Sequence, residues 1–347
     1  MAMETIIFAD DGERSLERST ATIPEPGPRE VQLEIKATGV CGSDVGAWHR
    51  KSAYEFIETP RVPGHEYVGV ISDLGEDIEY FDVGDRVVER PLHSCGVCSA
   101  CRNGAPHVCE NLEITGFHFD GGFAPYSVAP VYALHHVPDS LTDQQAALAE
   151  PMAVAARATV NRTNLTTGDD VLVLGAGPMG SFSALIGDTL GANVTVGGLS
   201  RDKPRFAVLE DLGIRTVNLE TTSASESATE YADGGFDVVV DATGSTSALA
   251  DGIAAARPNG EAVVIGIPSG NLDITAPEFV RQEQRVSGSY GATPADFERA
   301  LEIIEGVPDE LDAMSQSYEP DDVEDAFRAF ADGEIIKPIL ETSLLEK

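Results

Sequence analysis

Four cysteines fall in a tight run, Cys95-x2-Cys98-x2-Cys101-x7-Cys109. Four thiolates on one compact loop can close a tetrahedral shell around zinc and leave no position open for chemistry. An iron–sulfur cluster begins with the same spacing, but the fourth cysteine and its flanks depart from that run. Ordinary core thiols do not crowd this densely, so the run reads as a structural zinc loop, with Arg102 and local amides keeping the thiolates ionised. The fifth cysteine stands apart in Cys41-Gly42-Ser43-Asp44, and Gly64-His65-Glu66 and Glu150-Pro151 add an imidazole and two carboxylates. A zinc that activates a substrate needs about three protein ligands and one open site. Cys41 and His65 offer two. With the other cysteines consumed, the third is an oxygen, and Glu66 and Glu150 are both candidates. A single His beside a Glu is by itself an ordinary core or surface pair; it is the three pieces together that suggest a metal.

A second kind of chemistry is carried by Gly175-Ala176-Gly177-Pro178-Met179-Gly180, which follows the apolar run Val171–Leu174 and opens a helical stretch. In that strand–turn–helix setting the pattern reads as a dinucleotide-binding loop. Gly175 makes the tight turn, Gly177 admits the pyrophosphate, and Gly180 lets helix and strand pack closely. Pro178 and Met179 lie at the helix start that faces the phosphates. NAD-binding chains place Asp or Glu about 20 residues on, for the ribose 2′-hydroxyl. Here that place, near Gly198, has no carboxylate, and Ser200, Arg201, Lys203 and Arg205 follow. Room plus cations suits a 2′-phosphate, so NADP is expected in preference to NAD. The competing reading makes these solvated charges at a helix start, with Asp202 binding the ribose of NAD.

The elements that must position these residues divide in two. Residues 1–155 are rich in short β-like runs broken by Gly and Pro, such as Val31–Ala37, Tyr67–Ser72 and Asp85–Glu89, which predicts an antiparallel, partly open barrel. A helical stretch is expected over Thr142–Thr163. Residues 156–291 alternate strand and helix: strands at Val171–Leu174, Val194–Val196, Asp237–Val240 and Ala262–Ile267, helices at Met179–Leu190, Arg205–Leu212 and Ser247–Ala256. That alternation predicts an α/β, doubly wound parallel sheet of the Rossmann type. Residues 292–347 carry helices at Asp296–Glu305 and Asp321–Ala331 and a last strand near Ile335–Leu340.

Composition bounds the setting. The 347 residues hold 58 Asp plus Glu against 23 Lys plus Arg, a net charge of −35. The carboxylates are spread along the chain rather than gathered in blocks, which suits a protein working in concentrated salt, where the Debye length shrinks to about 3 Å at 1 M. No basic stripe exists for nucleic acid, and no apolar run is long enough for a membrane span. The first residues carry no basic segment followed by an apolar stretch, so a cytoplasmic location is expected. An odd set of five thiols, four of them clustered, makes a poor disulfide framework there.

Taken in order, seven motifs resemble those of the zinc-containing medium-chain alcohol, polyol and threonine dehydrogenases, over nearly the whole chain. They are Gly39-Val40-Cys41-Gly42-Ser43-Asp44, Pro63-Gly64-His65-Glu66 with Gly69, Val83-Gly84-Asp85-Arg86-Val87, the cysteine loop, Asp120-Gly121-Gly122-Phe123-Ala124, Glu150-Pro151 and Gly175–Gly180. The resemblance implies a GroES-like catalytic domain completed by the C-terminal segment, a central cofactor domain, two zincs per chain, one catalytic and one structural, and a dimer or tetramer. It implies that Cys41 and His65 bind the catalytic zinc, with Glu150 a ligand directly or through water and Glu66 a ligand or neighbour. Ser43 would relay the substrate proton, Asp44 would orient His65, and Gly244 and Gly266 would line the nicotinamide side. Glu-Pro at the third ligand position is similar to the sorbitol, sugar and threonine branch. The implied activity is hydride transfer from a secondary alcohol or hemiacetal hydroxyl of a sugar or polyol. Threonine or simple alcohols are alternatives, as is a non-enzymatic NADP-binding redox sensor; Arg281 and Arg285 are candidates for a threonine carboxylate. Trp48, Phe117 and His118 are candidate pocket walls. One departure is Gly46, where many polyol dehydrogenases carry a His of the proton path, so His49, water or the cofactor ribose would have to serve.

Overall fold

The structure, a computed structural model, describes residues 1–9 and 15–345. It divides into two compact units, one of Met1–Glu150, Ala292–Ala331 and Lys337–Lys347, the other of Pro151–Gly291 and Asp332–Ile336. The division falls at Glu150, whereas the sequence suggests 155, which lies inside the helix Ala149–Ala156. The helical stretch expected over Thr142–Thr163 is three pieces: Asp143–Ala146, Ala149–Ala156 and a wider π-helical turn at Arg157–Asn161.

In the first unit the strand Glu30–Gly39 is the hub. It pairs antiparallel with Glu66–Leu74, with Tyr126–Pro130 and with the C-terminal strand Lys337–Leu340. Its alternate residues Val31, Leu33, Ile35 and Ala37 are buried, the period of two that a strand with one face on a core requires. Beyond Glu66–Leu74 the sheet continues through Arg86–Glu89 to Leu134–His136, the antiparallel, open arrangement expected of this half. Register decides what meets at the hub's end. Gly39 stands opposite Glu66 on one side and Ile339 on the other. Three segments far apart in sequence, those carrying Cys41, Glu66 and Lys337, therefore converge there. A side chain at Gly39 would fall on the Glu66 carboxylate, so the glycine is needed for close approach.

The second unit is a six-stranded sheet in the order Arg215–Asn218, Asn193–Gly198, Asp170–Leu174, Phe236–Asp241, Ala256–Val264, Arg285–Gly288. Every neighbouring pair is parallel. In chain order this is 3-2-1-4-5-6, the doubly wound arrangement whose ligand crevice lies at the carboxyl ends of the central strands. Val171–Leu174 and Val238–Val240 are continuous apolar runs and are buried, as strands covered on both faces must be. Two strands and two helices are absent from the sequence reading of this unit: Arg215–Asn218, Arg285–Gly288, Ala224–Tyr231 and Ala276–Arg281. The two strands lie at the sheet's edges and carry mostly polar residues, so no apolar run marks them. The fifth strand begins earlier than expected, at Ala256, because Arg257, Pro258, Asn259 and Gly260 continue it with little apolar signal.

Candidate metal and cofactor sites

The cysteine loop is built around a one-turn helix, Ser99–Arg102, entered from Cys98. Its four sulfurs form one group with every pair within 4.8 Å. Cys98 and Cys101 sulfurs are 3.4 Å apart, Cys98 and Cys109 3.8 Å, and Cys95 and Cys109 3.4 Å. A tetrahedral shell with Zn–S bonds of about 2.3 Å has sulfur–sulfur edges of about 3.8 Å, so the loop fits zinc with little adjustment. Backbone amides point at the sulfurs: Cys95 N–H and Asn111 N–H donate to Cys109, and Cys98 N–H to Cys95. The amides of Val97 and Cys98 lower the Cys95 thiol to about 6, and the amides of Cys101 and Glu110 lower Cys98. Burial and the neighbouring thiols of Cys98 and Cys109 push Cys101 up to about 11. The expected help from Arg102 is a correction: its side chain is exposed, and amide dipoles do the work.

The second group begins with a short helix, Gly42–Trp48, capped by Cys41. Asp44, three residues into it, accepts a hydrogen bond from Cys41 N–H at 2.9 Å, which fixes the thiol's position. Glu66 opens the strand Glu66–Leu74, so His65 lies just before that strand. Ligand atoms of Cys41, His65 and Glu66 all lie within 4.8 Å of one another. The two ring nitrogens of His65 face different groups. Nδ1 lies 3.6 Å from Asp44 Oδ1, and Nε2 lies 3.4 Å from Ser43 Oγ. A proton on Nδ1 beside Asp44 leaves the Nε2 lone pair free for a metal. Asp44 Oδ1, His65 Nδ1 and Glu66 Oε1 are buried without hydrogen-bond partners. The first two face each other, whereas Glu66 Oε1 is an orphaned buried acceptor beside a thiol and an imidazole, which fits a cation.

Glu150 lies outside the three-residue group but is electrostatically tied to it. Burial, then the Glu66 carboxylate, push its carboxyl up to about 7. Burial works to lower the His65 imidazole, but Asp44, Cys41 and Glu150 together raise it well above its ordinary value. The residue that sequence reasoning misses is Lys337. Its ammonium is buried, donates to Val40 O at 3.0 Å and forms an ion pair with Glu66 Oε2. No local signal marks a lysine that arrives from the C-terminal strand.

The other expected residues fall as follows. Phe117 is buried and packs edge-on against His65 at 5.2 Å, with Tyr54 against it at 5.8 Å. The Tyr54 ring fills the space a side chain at Gly46 would take, which accounts for the missing His. Trp48 is buried against Phe327 and is a packing residue. His118 accepts from Ile114 N–H, stacks on Phe56 and lines a cavity of about 910 Å³ with His93 and Tyr132. Arg281 and Arg285 are exposed on the helix Ala276–Arg281 and the edge strand.

In the second unit Gly175 ends the first strand with φ +99°, and a side chain at Gly180 would strike the Gly175 carbonyl. Gly177 caps the helix Pro178–Thr189, with Pro178 as its first residue, where proline's missing N–H costs nothing. Nothing lies within 4 Å of the position a Gly177 side chain would occupy, leaving open space over the helix start for a pyrophosphate. Gly244 and Gly266 lie side by side, a side chain at Gly266 falling 2.6 Å from Gly244 N. Asp241 ends the fourth strand, and its buried carboxylate accepts from Thr243 N–H and Oγ1. Ser200 and Arg201 follow the second strand and are exposed. Arg205 is not available to a ligand as expected: its Nε donates to Ile335 O, and it pairs with the buried Asp202.

Residues 27–139 match the alcohol dehydrogenase GroES-like domain, and residues 178–306 match the zinc-binding dehydrogenase family. The chain is 33% identical to a sorbitol dehydrogenase of Halalkalibacterium halodurans over 322 residues, 91% of this chain and 93% of that one. The chain belongs to the zinc-binding medium-chain dehydrogenase family. An L-galactonate-5-dehydrogenase of Escherichia coli K12, another member, is 36% identical over 81% of this chain and 82% of its own. An alcohol dehydrogenase of Escherichia coli CFT073, solved with NADH, superposes with a TM-score of 0.89 at 28% identity, covering 98% of this chain and 99% of that one. The protein is a zinc-dependent, NAD(P)-linked dehydrogenase. Among the described residues no helix is long and apolar enough to cross a membrane.

Because His65 and Glu150 hold protons near neutrality without metal, uptake of zinc at their site must displace them. With two protons displaced, zinc affinity there should fall by about a hundredfold per unit as pH drops below about 7. Competition against a chromogenic chelator across that range checks this; a pH-independent affinity would contradict the assignment.

Proposed function

We propose that the protein reversibly oxidises a secondary alcohol or hemiacetal hydroxyl of a sugar or polyol. The observation that carries this reading is the convergence of Cys41, His65 and Glu66, with ligand atoms within 4.8 Å, beside Glu150. A thiolate, an imidazole and two carboxylates make an oxygen-rich zinc site suited to a substrate with several hydroxyls. The sorbitol and L-galactonate enzymes similar to this chain are named for polyhydroxylated compounds, which supports the same class here. When bound, zinc acidifies the substrate hydroxyl and the nicotinamide takes up the hydride.

The chain's own residues do the rest. Ser43 Oγ, on the Nε2 side of His65, takes the hydroxyl proton and passes it outward. Asp44 keeps a proton on His65 Nδ1, and Lys337 holds Glu66. The cysteine loop holds a second, structural zinc. For the cofactor, the absence of a carboxylate at Gly198 and the exposed Arg201 and Lys203 support NADP over NAD. Exposed Val280, on the helix Ala276–Arg281, and Val286, in the edge strand Arg285–Gly288, support a homo-oligomer. A cytoplasmic setting belongs to the same reading, and the net charge of −35 supports work in concentrated salt.

A screen of polyols, aldoses, sugar acids, threonine and short alcohols, with each cofactor, tests the reading. Turnover is expected on a polyhydroxylated substrate; turnover on short alcohols or threonine alone would overturn it. Ser43→Ala should lower kcat by about 10²- to 10⁴-fold, the usual worth of a positioned proton-transfer group, with zinc content unchanged. An unchanged kcat would remove Ser43 from the relay. Thermal midpoint and activity should both rise from about 0.1 M to about 2 M KCl as screening relieves carboxylate repulsion; a flat or falling profile would refute the salt adaptation.

A further inference from the structure

The place after the second strand of the cofactor unit lacks its own carboxylate, yet the fold brings one in from another loop. Leu219 N–H donates to Gly198 O at 2.8 Å, and the Leu219 side chain lies over Gly197. This pins the loop after Arg215–Asn218 against the carboxyl end of the second strand. The next residue, Glu220, then reaches Ser200: its Oε2 accepts the Ser200 N–H at 2.7 Å. Asn218 locks both partners, its Nδ2 donating to Ser200 Oγ at 2.9 Å and its Oδ1 accepting from Glu220 N–H at 3.0 Å. Hydrogen bonds from Ser200 hold the Glu220 carboxyl below the usual range, so it is ionised at neutral pH. Asp202, the nearby acid in sequence, is turned inward. It accepts from Leu199 N–H at 2.9 Å, pairs with Arg205 and is buried.

In a doubly wound sheet the adenosine ribose sits at the end of the second strand. There NAD presents a 2′-hydroxyl, which donates to a carboxylate, and NADP presents a 2′-phosphate, which needs N–H and O–H donors and cations. Ser200 offers both donors, and Glu220 already holds the N–H. We propose that Glu220 sets the cofactor discrimination of this enzyme: its carboxylate accepts the ribose hydroxyl of NAD and must leave Ser200 for the 2′-phosphate of NADP. The inference deepens the NADP reading given above and rests on the cofactor occupying this strand end. Arg201 and Lys203 set the attraction for the phosphate, and Glu220 sets its limit.

The test measures dissociation constants of NADPH and NADH by nicotinamide fluorescence and by calorimetry, at one fixed salt concentration, for the wild type, Glu220→Gln and Glu220→Lys. Circular dichroism confirms the fold of each; the residue is exposed, and a second variant guards against one that misfolds. The ratio of NADPH to NADH affinity should rise by about tenfold in Glu220→Gln and further in Glu220→Lys, the scale of removing and then reversing one charge beside a phosphate. A ratio that moves by less than about threefold in both variants overturns the role of Glu220. The wild-type ratio judges the NADP preference separately, since a wild type that favours NADH refutes that preference whatever the variants do.

Discussion

The first unit depends on how buried negative charge is balanced around His65. Cys41, Asp44, Glu66 and Glu150 share one small volume, and Lys337 is the ammonium brought in against them. Removing one partner of a buried ion pair costs about 3–5 kcal/mol, because the other charge is left without compensation. The fold is arranged to keep that partner in place. The C-terminal strand pairs with Glu30–Gly39, and Gly39 leaves room for the carboxylate and the lysine side chain to meet. The return of the chain's end to the first unit is thus an electrostatic requirement as well as a topological one.

The same charge explains the difference between the two metal groups. In the cysteine loop, backbone amides partly stabilise the thiolates, and four sulfurs can complete a shell with no open position, the donor set of a structural metal site. Around His65 the donors are mixed and the surplus charge is met by protons until a cation arrives. That site has one carboxyl, Glu150, pushed up to about 7 and a hydroxyl, Ser43, on the ligand side of the imidazole. Glu66 is held by Lys337, whereas Glu150 holds a proton near neutrality, so the two carboxylates differ in what a cation would have to displace.

Much of this was legible in sequence because it is local. The cysteine spacing and the Gly175–Gly180 turn are each set within a few residues, where spacing translates directly into geometry. The central strands were legible too, since burial on both faces leaves continuous apolar runs. The misses are non-local. Lys337 and Glu220 act across loops and strands, and nothing in their flanking residues distinguishes them from solvated charges. Polar edge strands such as Arg215–Asn218 carry no apolar period. Arg205 looked like a phosphate ligand by proximity to Ser200, yet the buried Asp202 and the Ile335 carbonyl claim it.

The proposed chemistry requires an electrophilic metal at Cys41 and His65, separate from any held by the thiolate loop. Elemental analysis after equilibrium dialysis against zinc, in high salt, measures this directly. Two zincs per chain should fall to one in Cys41→Ser and in His65→Ala, each still folded and still holding the loop metal. A wild type that retains a single zinc, lost only when the cysteines of the 95–109 loop are replaced, would contradict it.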